Sequence, residues 1–108
     1  SVRNASWYNL SDGYLARFVT GDVDSRVYYN KKGKWNCTIR YYNERKMPRS
    51  LRSDINIAYC DYKITGVEQL DVPGTILYIV HLENADSMKI LYVHDGEISV
   101  NEELTLNK

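Results

Sequence analysis

The chain has 108 residues, of which fourteen are Lys or Arg and fourteen are Asp or Glu, so its formal net charge at pH 7 is zero. This length fits one domain, spanning 1–108, with a single hydrophobic core. A neutral chain lacks the basic surface with which dedicated nucleic-acid-binding proteins neutralise phosphates, so we expect no nucleic-acid partner. No apolar run approaches the roughly 20 residues that a membrane-spanning helix needs, so we also expect no membrane span.

Residues 14–42 predict three antiparallel strands joined by two tight turns, and a short strand at about 5–8 precedes them. Gly21-Asp22 and Lys31-Lys32-Gly33 suit the turns, because glycine readily adopts the positive φ that hairpin turns require. Side chains of a strand point alternately to its two faces. If the third strand alternates without interruption, its inward side chains are Trp35, Cys37, Ile39 and Tyr41.

After Met47 the apolar period changes to that of a helix. Leu51, Ile55 and Tyr59 recur at helical spacing, and Pro48 suits a first helical turn, where its missing N–H costs nothing. We therefore predict one amphipathic helix at about 48–60, packed on one face of the sheet. Further strands are predicted at about 62–70, 75–82, 88–93 and 97–104.

The two groups of strands predict an α+β fold, with an antiparallel sheet of about eight strands in two repeated halves. The half-repeats lie at about 5–42 and 65–104 and are joined by the helix. An offset of 63 aligns Gly33 with Gly96 and Tyr29 with Tyr92. The second half has an apolar outer face that we expect to be covered by a preceding helix, a second subunit or a partner. That face comprises Tyr78, Val80, Leu82, Leu91 and Val93.

Several stretches together resemble a known family. They read ASW, GYLARF, VYYNKKGKW, MPRSL, YIVHLEN and LYVHDGEI, and they are similar to the PepSY-like family of candidate periplasmic domains, also described as β-lactamase-inhibitor-protein-like. The resemblance covers nearly the whole chain, but its shared positions, such as Trp7, Pro48 and the Asp95-Gly96 turn, are structural. It implies helices packed on an antiparallel sheet, with a helix before Trp7 in the full-length protein. It also implies a binding or inhibitory role, which is an analogy of fold.

The residues that could carry chemistry do not form a recognisable catalytic or metal-binding pattern. His81 and His94 lie on separate strands, and a metal site needs three or four converging ligands. No serine or cysteine is paired with a histidine and an orienting acid. We therefore predict that the protein is not an enzyme and holds no metal or other cofactor. Cys37 and Cys60 either form a disulfide that clamps helix to sheet in an oxidising compartment or remain two buried thiols.

One exposed face of the sheet is the candidate site. Arg and Tyr are enriched in protein interfaces, although a solvated sheet face with half-buried tyrosines is the open alternative. Arg17 would lie opposite Arg26, which costs stability unless Asp24 or a partner neutralises the pair. The predicted protein-binding face comprises Arg17, Arg26, Tyr28, Lys34, Arg40 and Tyr42.

These observations predict a non-enzymatic binding or inhibitory module whose partner is a protein or peptide. The alternative is a small-ligand sensor or carrier with a pocket between helix and sheet. The family resemblance implies a periplasmic or secreted location, and a lipid anchor in the full-length precursor is left open. A homodimer is also left open.

Overall fold

The computed structural model describes residues 5–106, and these form one eight-stranded antiparallel sheet in which every strand pairs with its neighbours in chain order. The strands are β1 (Ser6–Leu10), β2 (Gly13–Thr20), β3 (Val23–Asn30), β4 (Trp35–Tyr42), β5 (Lys63–Val72), β6 (Thr75–Glu83), β7 (Ser87–His94) and β8 (Glu97–Thr105). A short 3-10 helix, Glu44–Lys46, and the α-helix α1, Arg49–Ala58, connect β4 to β5. The prediction of one helix on an antiparallel sheet is confirmed.

The predicted turns form as expected. Gly21 and Gly33 have φ values of 59° and 81°, in the left-handed region that only glycine adopts without strain. The β3–β4 turn is further held by the side chain of Asn30, whose Oδ1 accepts hydrogen bonds of 2.9 Å from the backbone N–H groups of Lys32 and Lys34. These local interactions stabilise the two turns.

Helix α1 packs on one face of the sheet, here called the helix face, and its Ile55 has no exposed surface. The side chains around it come from β4 to β7 and from the segment before α1, and they are Tyr42, Met47, Ile64, Val67, Val80, Leu82, Leu91 and Val93. The prediction that the apolar side chains of the second half form an outer face is therefore wrong. They form the core, because α1 covers that face.

Strand β4 contains a bulge that changes which side chains share a face. Tyr28 pairs with Cys37 and Tyr29 with Trp35, so Asn36 is an extra residue in β4. A bulge of this kind interrupts the alternation of side chains. The prediction that Cys37 and Trp35 point to the same side is consequently wrong: Trp35 lies on the helix face and Cys37 on the opposite face, here called the open face.

Two more strands contain a bulge of the same kind. In β5, Thr65 is extra, since Ile64 pairs with Leu82 and Gly66 with His81. In β8 the extra residue is Asn101. The β5 bulge allows Ile64 and Val67, three positions apart, to be buried under the same helix. In each strand, the alternation of side chains between the two faces therefore shifts by one residue at the bulge.

Two residues that the predicted repeat aligns, Tyr29 and Tyr92, lie on opposite faces of the sheet, so their positions do not support two repeated halves. Tyr29 is two positions from Val27, which pairs with Thr38, and it lies on the helix face. Tyr92 pairs with Ile79, the neighbour of buried Val80, and lies on the open face. A duplicated architecture therefore stays a prediction.

Among the described residues, α1 is too short and too polar to cross a membrane, and no other helix there could do so.

Candidate functional site

The six residues of the predicted protein-binding face do not lie together. Arg17, Arg26 and Tyr28 are on the open face. Arg40 and Tyr42 are on the helix face, because the extra Asn36 shifts the alternation of β4. Lys34 is in the turn before β4, outside the sheet. The single-face prediction is therefore wrong, and the open face retains half of the predicted set.

Arg40 and Tyr42 instead lie on the helix face, where both contact side chains of β5. Arg40 forms an ion pair with Asp71. The Tyr42 hydroxyl donates a 2.6 Å hydrogen bond to Oε1 of Gln69, and burial of the phenol raises the pKa of Tyr42 well above its ordinary value. These two side chains hold β4 to β5. Tyr42 is buried and is not available as an exposed recognition surface, whereas the Arg40 side chain keeps 37% of its surface exposed.

On the open face, Arg17 has a carboxylate partner. Its Nη2 lies 2.8 Å from Oδ2 of Asp24, and its Nε lies 3.2 Å from Oδ1, which is the two-point geometry that guanidinium and carboxylate groups favour. The hydrogen bond from Arg17 holds the pKa of Asp24 below its ordinary value. Both carboxylate oxygens of Asp24 thus accept a hydrogen bond from Arg17.

Arg26 lies directly opposite Arg17 in the β2–β3 pair and has a different environment. Its guanidinium carbon is 5.0 Å from the centre of the Tyr41 ring, a cation–π distance. Its Nε is buried and finds no hydrogen-bond partner within residues 5–106. Arg26 is therefore a half-buried cation whose Nε is shielded from water and makes no hydrogen bond within the described residues.

Both arginines line a groove of about 420 Å³ on the open face near the first edge of the sheet. We call this the arginine groove, and its lining residues are Tyr8, Asn9, Leu10, Leu15, Arg17 and Arg26. It combines two guanidiniums with apolar and aromatic walls. Sequence reasoning missed Leu15, although its alternation with Tyr14 and Ala16 already indicated the outward side of β2. It also missed Tyr41, because the bulge at Asn36 could not be foreseen.

The two cysteines are both free thiols. Cys37 pairs with Tyr28 on the open face, whereas Cys60 follows the end of α1, which packs on the helix face. The disulfide that would clamp helix to sheet is therefore not formed. Burial raises the pKa of Cys37, which lowers the fraction of reactive thiolate.

The two histidines have polar partners but no catalytic arrangement. Nε2 of His81 lies 3.0 Å from Oε1 of Glu68. Nε2 of His94 lies 3.0 Å from Oγ1 of Thr75 and 3.6 Å from Oδ2 of Asp95. A catalytic triad would orient the imidazole through its second nitrogen, whereas both partners of His94 meet Nε2. Within residues 5–106, no three His, Cys, Asp or Glu side chains are grouped to hold a metal ion.

A second cavity of about 450 Å³ involves β5 to β8 at the other end of the sheet. Leu70, Val72, Leu77 and Tyr92 give it an apolar lining, and His94 lies among its polar groups. The predicted position of a ligand pocket was between helix and sheet. That space is largely filled by the core, apart from a groove of about 220 Å³ beside the start of α1.

The helix face of β1 to β4 carries an exposed aromatic cluster that the sequence did not reveal as a unit. Trp7 is 64% exposed, and its ring stacks on Tyr29 at 5.9 Å between centroids. Tyr14 and Trp35 are also exposed. Helix α1 packs over later strands and does not reach this cluster.

The fold is similar to that of solved structures from Bacteroides. A DUF2874 family protein from Bacteroides uniformis has a TM-score of 0.71 at 12% identity, covering 97% of this chain and 79% of that one. A BLIP-like protein from Bacteroides fragilis has a TM-score of 0.71 at 16% identity, with 99% and 77% covered. A protein from Bacteroides eggerthii, named as a candidate periplasmic protein, has a TM-score of 0.70 at 14% identity, with 97% and 78% covered.

No family model and no curated protein matches the sequence. The PepSY-like part of the resemblance therefore stays a prediction, whereas the BLIP-like part is confirmed as a fold. At these identities the similarity establishes architecture and nothing about activity. The eight-stranded fold of this chain is similar to the fold of the DUF2874 and BLIP-like structures.

Proposed function

We propose that this chain is a non-enzymatic periplasmic binding module that recognises a protein partner through the open face of β1 to β4. The observation that carries the proposal is the arginine groove, in which the Arg26 guanidinium lies beside exposed aromatic and apolar side chains. The BLIP-like neighbour favours a binding role, and the candidate periplasmic neighbour favours the compartment.

The composition of this surface supports recognition of a protein. Tyr8 is exposed at the edge strand, and Leu15 and Tyr28 form a directly opposed pair beside it. Protein interfaces combine such apolar and aromatic area with arginine, and a few central side chains carry most of the binding free energy. A partner could therefore gain apolar contact and directed hydrogen bonds from one small area.

The test is retention of a partner by immobilised protein, compared between variants. We expect Leu15→Ala together with Tyr28→Ala to reduce the retained partner at least tenfold, because each truncation removes contact area on the open face. Ile57→Ala is the matched control, since Ile57 is an exposed residue of α1 on the other side of the sheet. Quantitative mass spectrometry of proteins retained from a periplasmic extract gives the readout. Thermal unfolding confirms that each variant is folded.

A partner that is retained equally by the double variant and the unmodified protein would contradict the proposal. Loss through Ile57→Ala alone would contradict it as well, because it would assign binding to the helix side. None of these three substitutions alters a charged residue. The experiment therefore tests whether the open face binds a partner, and it does not test what the arginines contact.

The second candidate function is a small-ligand sensor or carrier, and the cavity lined by Leu77 and Tyr92 is the observation that favours it. Apolar cavities with a few polar groups commonly bind small molecules. A carrier would show an additional mass in native mass spectrometry after mild purification, and Leu77→Trp would remove it by filling the cavity. An unmodified mass for the purified protein would count against this function.

A further inference from the structure

The charges of the arginine groove are not balanced. Arg17 and Arg26 face each other across β2 and β3, and like charges in this position repel. Asp24 forms two hydrogen bonds to Arg17 and none to Arg26 among the described residues. The groove therefore has two guanidinium groups and one neighbouring carboxylate, which leaves one excess positive charge.

Arg26 is the group that holds this excess charge. Its buried Nε has lost its hydration without gaining a hydrogen bond within residues 5–106, which is unfavourable for a polar group. Tyr41 approaches the guanidinium from one side. Since Nε is buried, the guanidinium meets the groove through its terminal nitrogens. An anion at that position would be attracted more strongly than in bulk water, because the surroundings are partly dehydrated.

The walls of the groove add a second requirement. Leu10 and Leu15 provide apolar surface, and Tyr8 provides an aromatic ring with a hydroxyl. A small inorganic anion would leave this surface in water. A peptide segment with an acidic side chain beside an apolar one would contact both the guanidinium and the walls.

We infer that the arginine groove binds a carboxylate of the partner, an Asp or Glu side chain flanked by an apolar residue, with Arg26 as the residue that contacts it. This inference rests on the proposed function and specifies its chemistry. A single carboxylate matches the single excess charge, and a planar carboxylate can accept two parallel hydrogen bonds from a guanidinium.

The experiment is a titration of the isotope-labelled full chain, followed through the Nε–H resonance of Arg26 and the backbone amides. The probe is the acetylated and amidated tripeptide Leu-Glu-Leu. The matched probe is Leu-Gln-Leu, which has the same shape without the charge. We expect the Glu peptide to shift the resonances of Arg26, Leu15 and Arg17, and the Gln peptide to bind at least tenfold more weakly.

Two substitutions test the role of the guanidinium. Arg26→Lys keeps the charge and removes the planar pair of donors, so we expect at least a tenfold loss of affinity for the Glu peptide. Arg49→Lys is the matched control on α1 and should leave the affinity unchanged. Asp24→Asn removes the one carboxylate beside the two guanidiniums, which raises the positive charge of the groove, so it should strengthen binding of the Glu peptide severalfold. Misfolding would lower the affinity, so it cannot produce such a gain.

Equal binding of the Glu and Gln peptides would overturn the inference. Shifts that spread over the basic β3–β4 turn and spare Arg26 would overturn it too, as would inorganic phosphate binding more tightly than the Glu peptide. Such a failure would leave the proposed function intact if the Leu15 and Tyr28 substitutions still abolish partner retention. If those substitutions have no effect on retention, the proposed function fails whatever the peptides do.

Discussion

Ile55 is the side chain that fastens α1 to the sheet, and it has no exposed surface, whereas Ile57 of the same helix is 76% exposed. Replacing Ile55 with Ala leaves a cavity against the sheet, so we expect the free energy of unfolding to fall by about 2–5 kcal/mol. The same replacement at Ile57 should change it by less than about 0.5 kcal/mol. Urea unfolding of both variants measures the difference, and equal midpoints would contradict this packing.

The buried Tyr42 makes the stability of the folded protein depend on pH in the alkaline range. Burial raises its pKa above the ordinary value of 10.0, so above that pH the unfolded chain releases the phenolic proton while the folded chain keeps it. The contribution of protonated Tyr42 to the free energy of unfolding is fully present below pH 10 and is lost as the pH rises towards the folded-state pKa. We therefore expect stability to fall in this window.

Tyr42→Phe should make this alkaline fall shallower. The variant also loses the hydrogen bond to Gln69, which leaves a half-buried acceptor without its donor and lowers stability at neutral pH by about 1 kcal/mol. Tyr14→Phe, at an exposed position, is the control and should keep the slope of the unmodified protein. Thermal unfolding measured from neutral pH to above pH 10 separates the two. An unchanged slope for Tyr42→Phe would exclude Tyr42 as its source.

At the level of the elements, the turns, the helix and the faces of β2 and β3 were predictable from sequence, whereas the face of each side chain in β4 was not. Gly21, Gly33 and Pro48 act through the local backbone, so their effect can be read without the rest of the molecule. Asn36 cannot be read in this way: a polar residue between Trp35 and Cys37 looks like ordinary alternation. The bulge lets Trp35 lie beside Tyr29 while Tyr42 is buried under α1 on the same face, an arrangement that the local pattern does not reveal. Because this bulge decides the face of Arg40 and Tyr42, the predicted site placed them on the wrong side of the sheet.

The bulge in β4 can be tested by deletion. Removing Asn36 would restore an uninterrupted ladder and leave Trp35 and Cys37 on their present faces. We expect the variant to fold with a stability loss of about 1 kcal/mol. Removing Ile39 from the regular part of the same strand would turn Tyr42 away from the core, since one position reverses every side chain. Circular dichroism melting should show a cooperative transition for the first deletion only. Equal damage by both would contradict the assignment of the extra residue.

At the scale of the whole molecule, residues 5–106 form one α-helix and eight strands, and the core is correspondingly uneven. The large buried side chains lie between Tyr42 and Val93, under α1. In β2, β3 and β4 the buried residues include Ala16, Ser25 and Thr38, which contribute little apolar area. The early strands therefore depend more on strand pairing and on ring contacts such as that of Trp7 with Tyr29. This leaves the aromatic cluster as an uncovered apolar feature of the helix face.

Exposed apolar clusters of this kind promote association, so we expect the chain to self-associate reversibly through Trp7 and its neighbours. Light scattering at several concentrations should give a mass that rises above the monomer value of 12.6 kDa as concentration increases. Trp7→Ser should shift the rise to higher concentration, because it removes the most exposed ring. Ile76→Ser, at another exposed position near the start of β6, should not. A constant monomer mass at every concentration would show that the cluster is tolerated in water, and it would leave the open face as the surface on which to look for a partner.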